Sequence, residues 1–302
     1  MIRVGLVGGS DPRHRRYLKP LQRRRAGVRI VGLSDPDPAV RDEFALQYEL
    51  PVFADHRELL AAIRPSLVAV TVPNPGPVVI DALRGGADVL VTPPVCLTAA
   101  ELDEISDLAR STGRRVTAAH LYRGHPASLT AREIVSSGSL GTPDLVSLIV
   151  AADVSGGELD RIIGEALDLF GWLTGANLTA TAIPDEPDED RDFGKLILAL
   201  ADTDPGRPVT LEVRRRSDLP QGQSILQVAG PSGAVEWDVA SGVLRSAVNG
   251  GDPVAVSCGP FSDPAEWVLT ELIRKPSPAI TTEESLAATR SLLSATATAV
   301  RS

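Results

Sequence analysis

Residues 67–98, LVAVTVPNPGPVVIDALRGGADVLVTPPVCLT, contain two short, mostly apolar runs separated by a segment of helical length. The runs at 67–72 and 88–92 have the composition of strands that are buried on both faces of a parallel sheet. The second run stops at Pro93 and Pro94. It therefore ends at the carboxyl edge, where proteins built on parallel sheets usually place their chemistry.

The same alternation extends through the first 125 residues. Comparable apolar runs lie at 2–8, 28–35 and 115–120, with a further short run at 50–55, and amphipathic segments such as 36–49 and 97–113 lie between them. Thr98, followed three residues later by Glu101, forms a capping box that starts the last of these helices. The pattern predicts an α/β fold, with residues 1–124 forming a Rossmann-like, doubly wound parallel sheet that binds a dinucleotide.

The pattern changes after the segment 125–143, which is predicted to form one helix ending at Gly138 or Gly141. Alternating apolar and polar residues predict an antiparallel sheet with one face covered, in strands at 145–153, 193–202, 208–217, 224–230 and 234–244. Helices are predicted at 159–175, 264–275 and 281–300. Residues 125–302 are therefore predicted to form an α+β domain with a mainly antiparallel open sheet.

Composition narrows the class of protein. The chain has 302 residues with 43% apolar residues and a formal charge of −9, which argues against a nucleic-acid surface. Two cysteines, Cys96 and Cys258, without a CxxC pair give no support for a disulfide framework or a zinc site, so a cytoplasmic setting is expected. No signal peptide, membrane span or metal-ligand spacing is recognised, and the acidic run at 184–192 is read as a solvated loop.

A glycine turn follows the first strand. Gly8, Gly9 and Ser10 form a degraded GxGxxG fingerprint, because Ser10 and Arg13 stand where the second and third glycines are usual. Asp35 ends the second strand. At this position an acid can accept hydrogen bonds from the ribose hydroxyls of NAD and repel the additional 2′-phosphate of NADP. A tight turn without a ligand, and an N-cap role for Asp35, are the alternatives.

Basic residues crowd the same turn. Arg13 and the following His14, Arg15 and Arg16 could neutralise a cofactor phosphate, or they could form a solvated helix face. The predicted cofactor is accordingly NAD or NADP, with NAD favoured by Asp35, and no metal is predicted.

Four segments, in order, resemble the Gfo/Idh/MocA family of NAD(P)-dependent oxidoreductases. They are the glycine-turn domain with VPN at 72–74, the segment 86–98, the segment AAHLYRGHPA at 118–127, and GGELDRIIGEALDLFGWLTG at 156–175. The resemblance implies a cofactor site that includes Pro73, Asn74, Thr92 and Pro93. It also implies a homodimer or larger homo-oligomer that assembles through the open sheet of the second domain.

The chain departs from the family at the catalytic positions. The family's EKP tripeptide, with its lysine, falls on Thr92, Pro93 and Pro94, while its helix aspartate and histidine fall on Arg161 and Glu165. Proline has no titratable group and no N–H, so Pro93 cannot transfer a proton. A structural Glu165–Arg161 ion pair is the alternative to a catalytic role for Glu165.

Proton transfer is therefore assigned to other side chains. His120, Tyr122 and Glu165 are the predicted catalytic residues, with a hinge role for His120 and packing for Tyr122 as alternatives. Arg123, His125 and Arg161 are the predicted substrate-binding residues, because an arginine can hold a carboxylate or phosphate by a bidentate contact.

Three readings of the function fit these departures. The first is an oxidoreductase with an atypical site that acts on a small keto, hydroxy or imine compound. The second is a redox-inactive relative that binds a cofactor or regulatory ligand, and a lyase or cyclase that reuses the cleft is a third reading. The loss of all three usual catalytic side chains is what separates these hypotheses.

Overall fold

The computed structural model describes ten ranges of the chain. These are residues 1–10, 27–151, 157–175, 179–183, 195–201, 209–216, 223–239, 241–259, 264–273 and 280–299. They divide into two compact units, the first containing residues 1–120 and 264–289 and the second containing residues 121–263 and 290–302.

The first unit contains a six-stranded parallel sheet. Its strand order is β3-β2-β1-β4-β5-β6, so the order reverses between β1 and β4. The strands are β1 (Ile2–Val7), β2 (Val28–Ser34), β3 (Val52–Phe53), β4 (Leu67–Val70), β5 (Asp88–Val91) and β6 (Val116–Ala118). A reversal of this kind is where open α/β sheets bind ligands. The Rossmann-like prediction is confirmed.

Among the described residues, four helices connect these strands: α1 (Pro38–Tyr48), α2 (His56–Ile63), α3 (Gly76–Arg84) and α4 (Ala99–Thr112). Thr98 caps α4 as predicted, with the Glu101 N–H donating to the Thr98 hydroxyl at 3.2 Å, while the Glu101 carboxylate accepts the N–H of Leu97, one residue before the cap, at 3.2 Å. Helix α1 is capped by Asp37, whose side chain accepts from the N–H of Ala39. The alternative that Asp35 caps this helix is therefore wrong.

Edge strand β6 is covered by hydroxyl groups of the last helix, α8 (Thr282–Ala299). The N–H of Val116 donates to Thr282 at 3.1 Å, and the N–H of Ala118 donates to Ser285 at 3.0 Å. These two N–H groups point away from β5, so the helix supplies the acceptors that a seventh strand would otherwise provide.

The second unit contains an eight-stranded, mainly antiparallel sheet of order β14-β13-β12-β11-β7-β10-β9-β8, in which β7 and β10 are the one parallel pair among the described strands. The strands are β7 (Leu145–Ala151), β8 (Thr179–Ile183), β9 (Lys195–Ala201), β10 (Val209–Arg216), β11 (Ser224–Gly230), β12 (Gly233–Asp238), β13 (Leu244–Val248) and β14 (Val254–Val256). The predicted α+β class of this part is confirmed.

The strand predicted at 234–244 is wrong in its extent. Strand β12 ends at Asp238, and the chain then turns so that the Asp238 N–H donates to the Val243 carbonyl at 3.0 Å. Gly242 has φ +71° in this turn, a conformation that favours glycine and interrupts a strand.

Helices cover one face of the second sheet. They include α5 (Pro126–Ser136) and α6 (Gly157–Thr174). The next described helix along the chain, α7 (Pro264–Ile273), belongs to the first unit instead. Helix α6 buries Leu167 and Phe170 completely in a core that also contains Trp237. Each such side chain contributes roughly 1.5–3 kcal/mol when it leaves water.

The compact units do not coincide with the predicted domains. Residues 264–289 group with the first unit, whereas the sequence placed all of 125–302 in the second domain. The boundary between residues 124 and 125 stays a proposal about which parts fold independently.

Candidate functional site

A glycine turn at the carboxyl end of β1 approaches the neighbouring strand closely. Gly8 has φ +90°, and a Cβ at this position would lie 2.4 Å from the Thr71 carbonyl oxygen. The Thr71 hydroxyl donates to the Gly8 carbonyl at 2.8 Å and ties the turn to the end of β4. Only glycine combines this backbone conformation with so close an approach.

Gly9 is equally enclosed. A Cβ there would lie 2.7 Å from Val40 Cγ1 and 3.2 Å from Phe44 Cε2, both on α1. The turn is therefore packed between β4 on one side and α1 on the other.

Asp35 accepts hydrogen bonds from this turn. Its carboxylate accepts hydrogen bonds from the N–H of Gly9 at 2.5 Å, from the N–H and the hydroxyl of Ser10 at 3.0 Å, and from the N–H of Asp37 at 2.9 Å. Burial alone would raise the pKa of the Asp35 carboxyl, but these hydrogen bonds, led by that from Gly9, hold it below its ordinary value. Asp35 is therefore ionised at neutral pH.

A small, almost wholly apolar cavity lies at the carboxyl ends of the central strands. Its lining comes from four strands and the residues that follow them: Leu6, Ala69, Val70, Thr71, Leu90, Thr92 and Ala119. The cavity and the glycine turn share Thr71, so they belong to the same edge of the sheet.

The residues predicted to complete the cofactor site lie on two loops at this edge. Pro73 and Asn74 are exposed after β4, Thr92 is half-buried, and Pro93 is buried after β5. The Thr92 hydroxyl donates to the Val70 carbonyl at 3.1 Å, and the Pro93–Pro94 peptide bond is cis. Arg13 and its basic neighbours lie outside the described residues.

In the second unit, Arg123 pairs with a residue that the sequence analysis did not single out. Its Nε donates to Asp168 Oδ2 at 2.7 Å and its Nη2 to Asp168 Oδ1 at 2.5 Å, and both side chains are 2% exposed or less. The guanidinium also lies 5.7 Å from the centre of the Trp172 ring. This bidentate contact engages the Nε and Nη2 donors of Arg123, and the substrate-binding role of Arg123 stays a prediction.

Tyr122 and His125 both pack on Trp237. The Tyr122 ring meets Trp237 edge-on at 5.8 Å, and the His125 ring lies 4.6 Å from it. His125 Nδ1 accepts the N–H of Ala127 at 3.2 Å and so caps α5. Burial lowers the pKa of His125, because the cationic form loses its hydration.

The other predicted residues are distributed over both units. His120 is buried at 1% exposure and ends the first unit, where its N–H donates to the Ala118 carbonyl. Glu165 is buried at 2% on α6 in the second unit. Arg161 lies on the same helix, but its side chain is outside what the structure describes.

The sequence around Asp168 indicates that its side chain has a buried partner. Asp168 lies three residues after Glu165 on a helix whose remaining residues here are mostly apolar, so a carboxylate in that position indicates a buried partner. Within the described ranges, no three histidine, cysteine or carboxylate side chains are grouped as a metal site would require, and no helix is long and apolar enough to cross a bilayer.

Comparison with known protein families agrees with the Rossmann-like architecture of the first unit. Residues 2–120 match the model of the GFO_IDH_MocA family, described as an oxidoreductase family with an NAD-binding Rossmann fold. The resemblance stated from the sequence motifs is therefore confirmed for this part of the chain.

One relative by sequence is inositol 2-dehydrogenase from Burkholderia ambifaria, which is 27% identical over 199 residues. The match covers 60% of this chain and 57% of that protein, so the chain spans little more than half of the relative's length.

Two solved structures share the fold over almost the whole chain. Biliverdin reductase from Synechocystis, in complex with biliverdin and NADP+, gives a TM-score of 0.79 at 17% identity and covers 98% of each chain. An oxidoreductase from Agrobacterium radiobacter, in complex with NAD+, L-tartaric acid and magnesium, gives 0.78 at 13% identity and covers 99% of this chain and 96% of its own. At such identities the likeness establishes the fold alone.

Proposed function

We propose that this chain, whose residues 2–120 match the model of the Gfo/Idh/MocA oxidoreductase family with its NAD-binding Rossmann fold, is an NAD(P)-dependent oxidoreductase with an atypical active site. The observation that carries the proposal is the turn at Gly8, which only glycine can form, beside the ionised Asp35 at a topological switch point. Its substrate is proposed to be a small keto, hydroxy or imine compound. The name of the sequence relative, an inositol 2-dehydrogenase, supports a hydroxy compound within this class.

The donors and acceptors at this edge of the sheet fit a dinucleotide. Gly8 and Gly9 allow backbone approach to a pyrophosphate, and Asp35 offers a carboxylate to a ribose. Pro73, Asn74, Thr92 and Pro93 would border the cofactor at the ends of β4 and β5. A negative Asp35 repels the additional phosphate of NADP, so NAD is the proposed cofactor.

A bound nicotinamide would supply or accept a hydride. The chain itself must then give or take one proton at the substrate oxygen or nitrogen, a contribution of roughly 10²- to 10⁴-fold. Pro93 cannot do this, so we assign proton transfer to His120, Tyr122 and Glu165. An iminium substrate would require no strong external acid, and it suits a site without lysine.

The first experiment is a titration with NADH and NADPH, followed by protein fluorescence. Micromolar binding of either nucleotide, tighter for NADH, supports the proposal, whereas no binding at millimolar concentration contradicts it. Gly8→Ala should abolish binding, because its Cβ would meet the Thr71 carbonyl. Gly86→Ala is the matched control, because Gly86 has φ +79° but nothing lies within 4 Å of an added Cβ.

Turnover separates this function from a redox-inactive one. Pro93, which stands at the position of the family's catalytic lysine, favours the second candidate, a cofactor-binding regulatory relative. Oxidation of NADH with a panel of ketones and imines would support the oxidoreductase, and Tyr122→Phe or Glu165→Gln should then lower kcat. Tight binding without any turnover would support the regulatory relative.

We further propose that the chain forms a homo-oligomer through the sheet of its second unit and works in the cytoplasm. Val248 and Val254, on strands β13 and β14, are 38% and 62% exposed, which leaves apolar surface at this edge for a second copy. Both cysteines are free, which agrees with a reducing compartment. Light scattering on the purified protein tests the assembly, and a strictly monomeric mass would contradict it.

A further inference from the structure

The carboxylate of Asp35 is saturated by donors from its own surroundings. Oδ2 accepts the N–H groups of Gly9 and Ser10, and Oδ1 accepts the N–H of Asp37. The Ser10 hydroxyl lies 3.0 Å from both oxygens. Because an ionised carboxylate offers about four acceptor positions, these four donors fill it. Asp35 is also only 1% exposed, so an incoming hydroxyl has to replace one of them.

The four donors differ in how easily they can leave. Three are backbone N–H groups: those of Gly9 and Ser10 belong to the packed glycine turn, and that of Asp37 is fixed at the start of α1, so their removal would require the backbone to be rebuilt. The fourth is the hydroxyl of Ser10, which leaves by rotation about a single side-chain bond. Ser10 is exposed, so its hydroxyl can bond to water after it leaves. The Ser10 hydroxyl is therefore the exchangeable donor on Asp35.

We infer that Ser10 sets the affinity of the proposed cofactor site, because its hydroxyl occupies the position on Asp35 that the adenosine ribose of NAD(H) must take. The inference rests on the proposed function. Ser10 stands where the dinucleotide fingerprint has its second glycine, which carries no competing hydroxyl. The chain's own serine thus competes with the ribose, and the turn stays closed on Asp35 until a nucleotide displaces it.

The test compares three proteins: wild type, Ser10→Ala and Ser10→Thr. A hydrogen bond to a charged group contributes about 1.5–3 kcal/mol, so its removal in Ser10→Ala should lower the Kd for NADH by roughly 10- to 150-fold. Ser10→Thr keeps the hydroxyl and should bind NADH as the wild type does. Calorimetric titration measures binding without any dependence on turnover.

A ligand control shows whether the effect passes through the ribose. An NADH analogue whose adenosine sugar lacks the 2′- and 3′-hydroxyls makes no demand on Asp35, so it should bind equally to wild type and Ser10→Ala. Tighter binding of NADH alone by Ser10→Ala supports the inference. Equal NADH affinity in all three proteins overturns it and leaves the proposed function standing. If none of them binds NADH, NADPH or ADP-ribose, the proposed function fails and the inference fails with it.

Discussion

Removal of the Asp168 carboxylate should destabilise the protein strongly. Asp168 holds the buried guanidinium of Arg123 by two contacts at 2.5 and 2.7 Å, and the two side chains are 1% and 2% exposed. Asp168→Ala would leave that cation buried without its carboxylate, which costs about 3–5 kcal/mol. Replacement of both partners by apolar residues, in Arg123→Met with Asp168→Leu, should recover most of this loss, because no charge then remains buried.

Equilibrium unfolding in urea, followed by circular dichroism, measures these free energies. The matched control is the ion pair of Arg110 and Asp107 on α4, whose side chains are 74% and 75% exposed. Asp107→Ala should cost less than about 1 kcal/mol. A cost below about 1 kcal/mol for Asp168→Ala would refute the reasoning. So would a double variant whose loss of unfolding free energy equals the sum of the losses of Arg123→Met and Asp168→Leu measured separately. Either result would then favour an Arg123 that is available to a substrate.

Three further predictions concern single side chains. Ser285→Ala should lower the free energy of unfolding by about 1–3 kcal/mol, because the buried N–H of Ala118 loses its acceptor. Thermal unfolding measures this loss, with Ser111→Ala at an exposed position as the control. Equal melting temperatures for Ser285→Ala and the wild type would contradict the prediction. The pKa of His125 is lowered in the folded state, so the unfolded chain binds more protons and stability should fall as the pH drops below about 6.5. His125→Asn keeps an N-cap acceptor and should flatten that part of the unfolding-versus-pH curve, and an unchanged slope would argue against the assignment. Burial, followed by the charge of Glu101, raises the pKa of Cys96 to about 12, so at pH 8 a thiol reagent should modify the half-buried Cys258 and leave Cys96 unreacted until denaturant is added.

Local pattern was sufficient for the architecture and for many of the elements, although no predicted strand covers β8 or β14. Apolar runs such as 67–72 and 88–92 correspond to β4 and β5, because a strand buried on both faces leaves a simple signature in the sequence. The capping box at Thr98 was equally readable, since it depends on residues three apart. The strand at 234–244 was overextended, because the break depends on a turn conformation at Gly242 rather than on hydrophobicity.

The site was less predictable, since its contacts join distant parts of the chain. Gly8 and Asp35 were recognised by position, but nothing local indicates that Ser10 donates to Asp35 across 25 residues. The Arg123–Asp168 pair spans 45 residues and depends on how α6 packs against the turn at Leu121–Gly124. The hydroxyl groups at positions 282, 285 and 289 lie on one face of a helix, and that spacing was an unused signal.

The hydroxyl-covered edge of β6 limits how this molecule can aggregate. An uncovered edge strand is a template on which another chain can extend the sheet. Here the outward N–H groups of Val116 and Ala118 are already taken by Thr282 and Ser285, while the opposite edge, β3, has only two residues. The parallel sheet therefore offers little for strand-by-strand growth into fibrils, on whichever side a neighbour approaches.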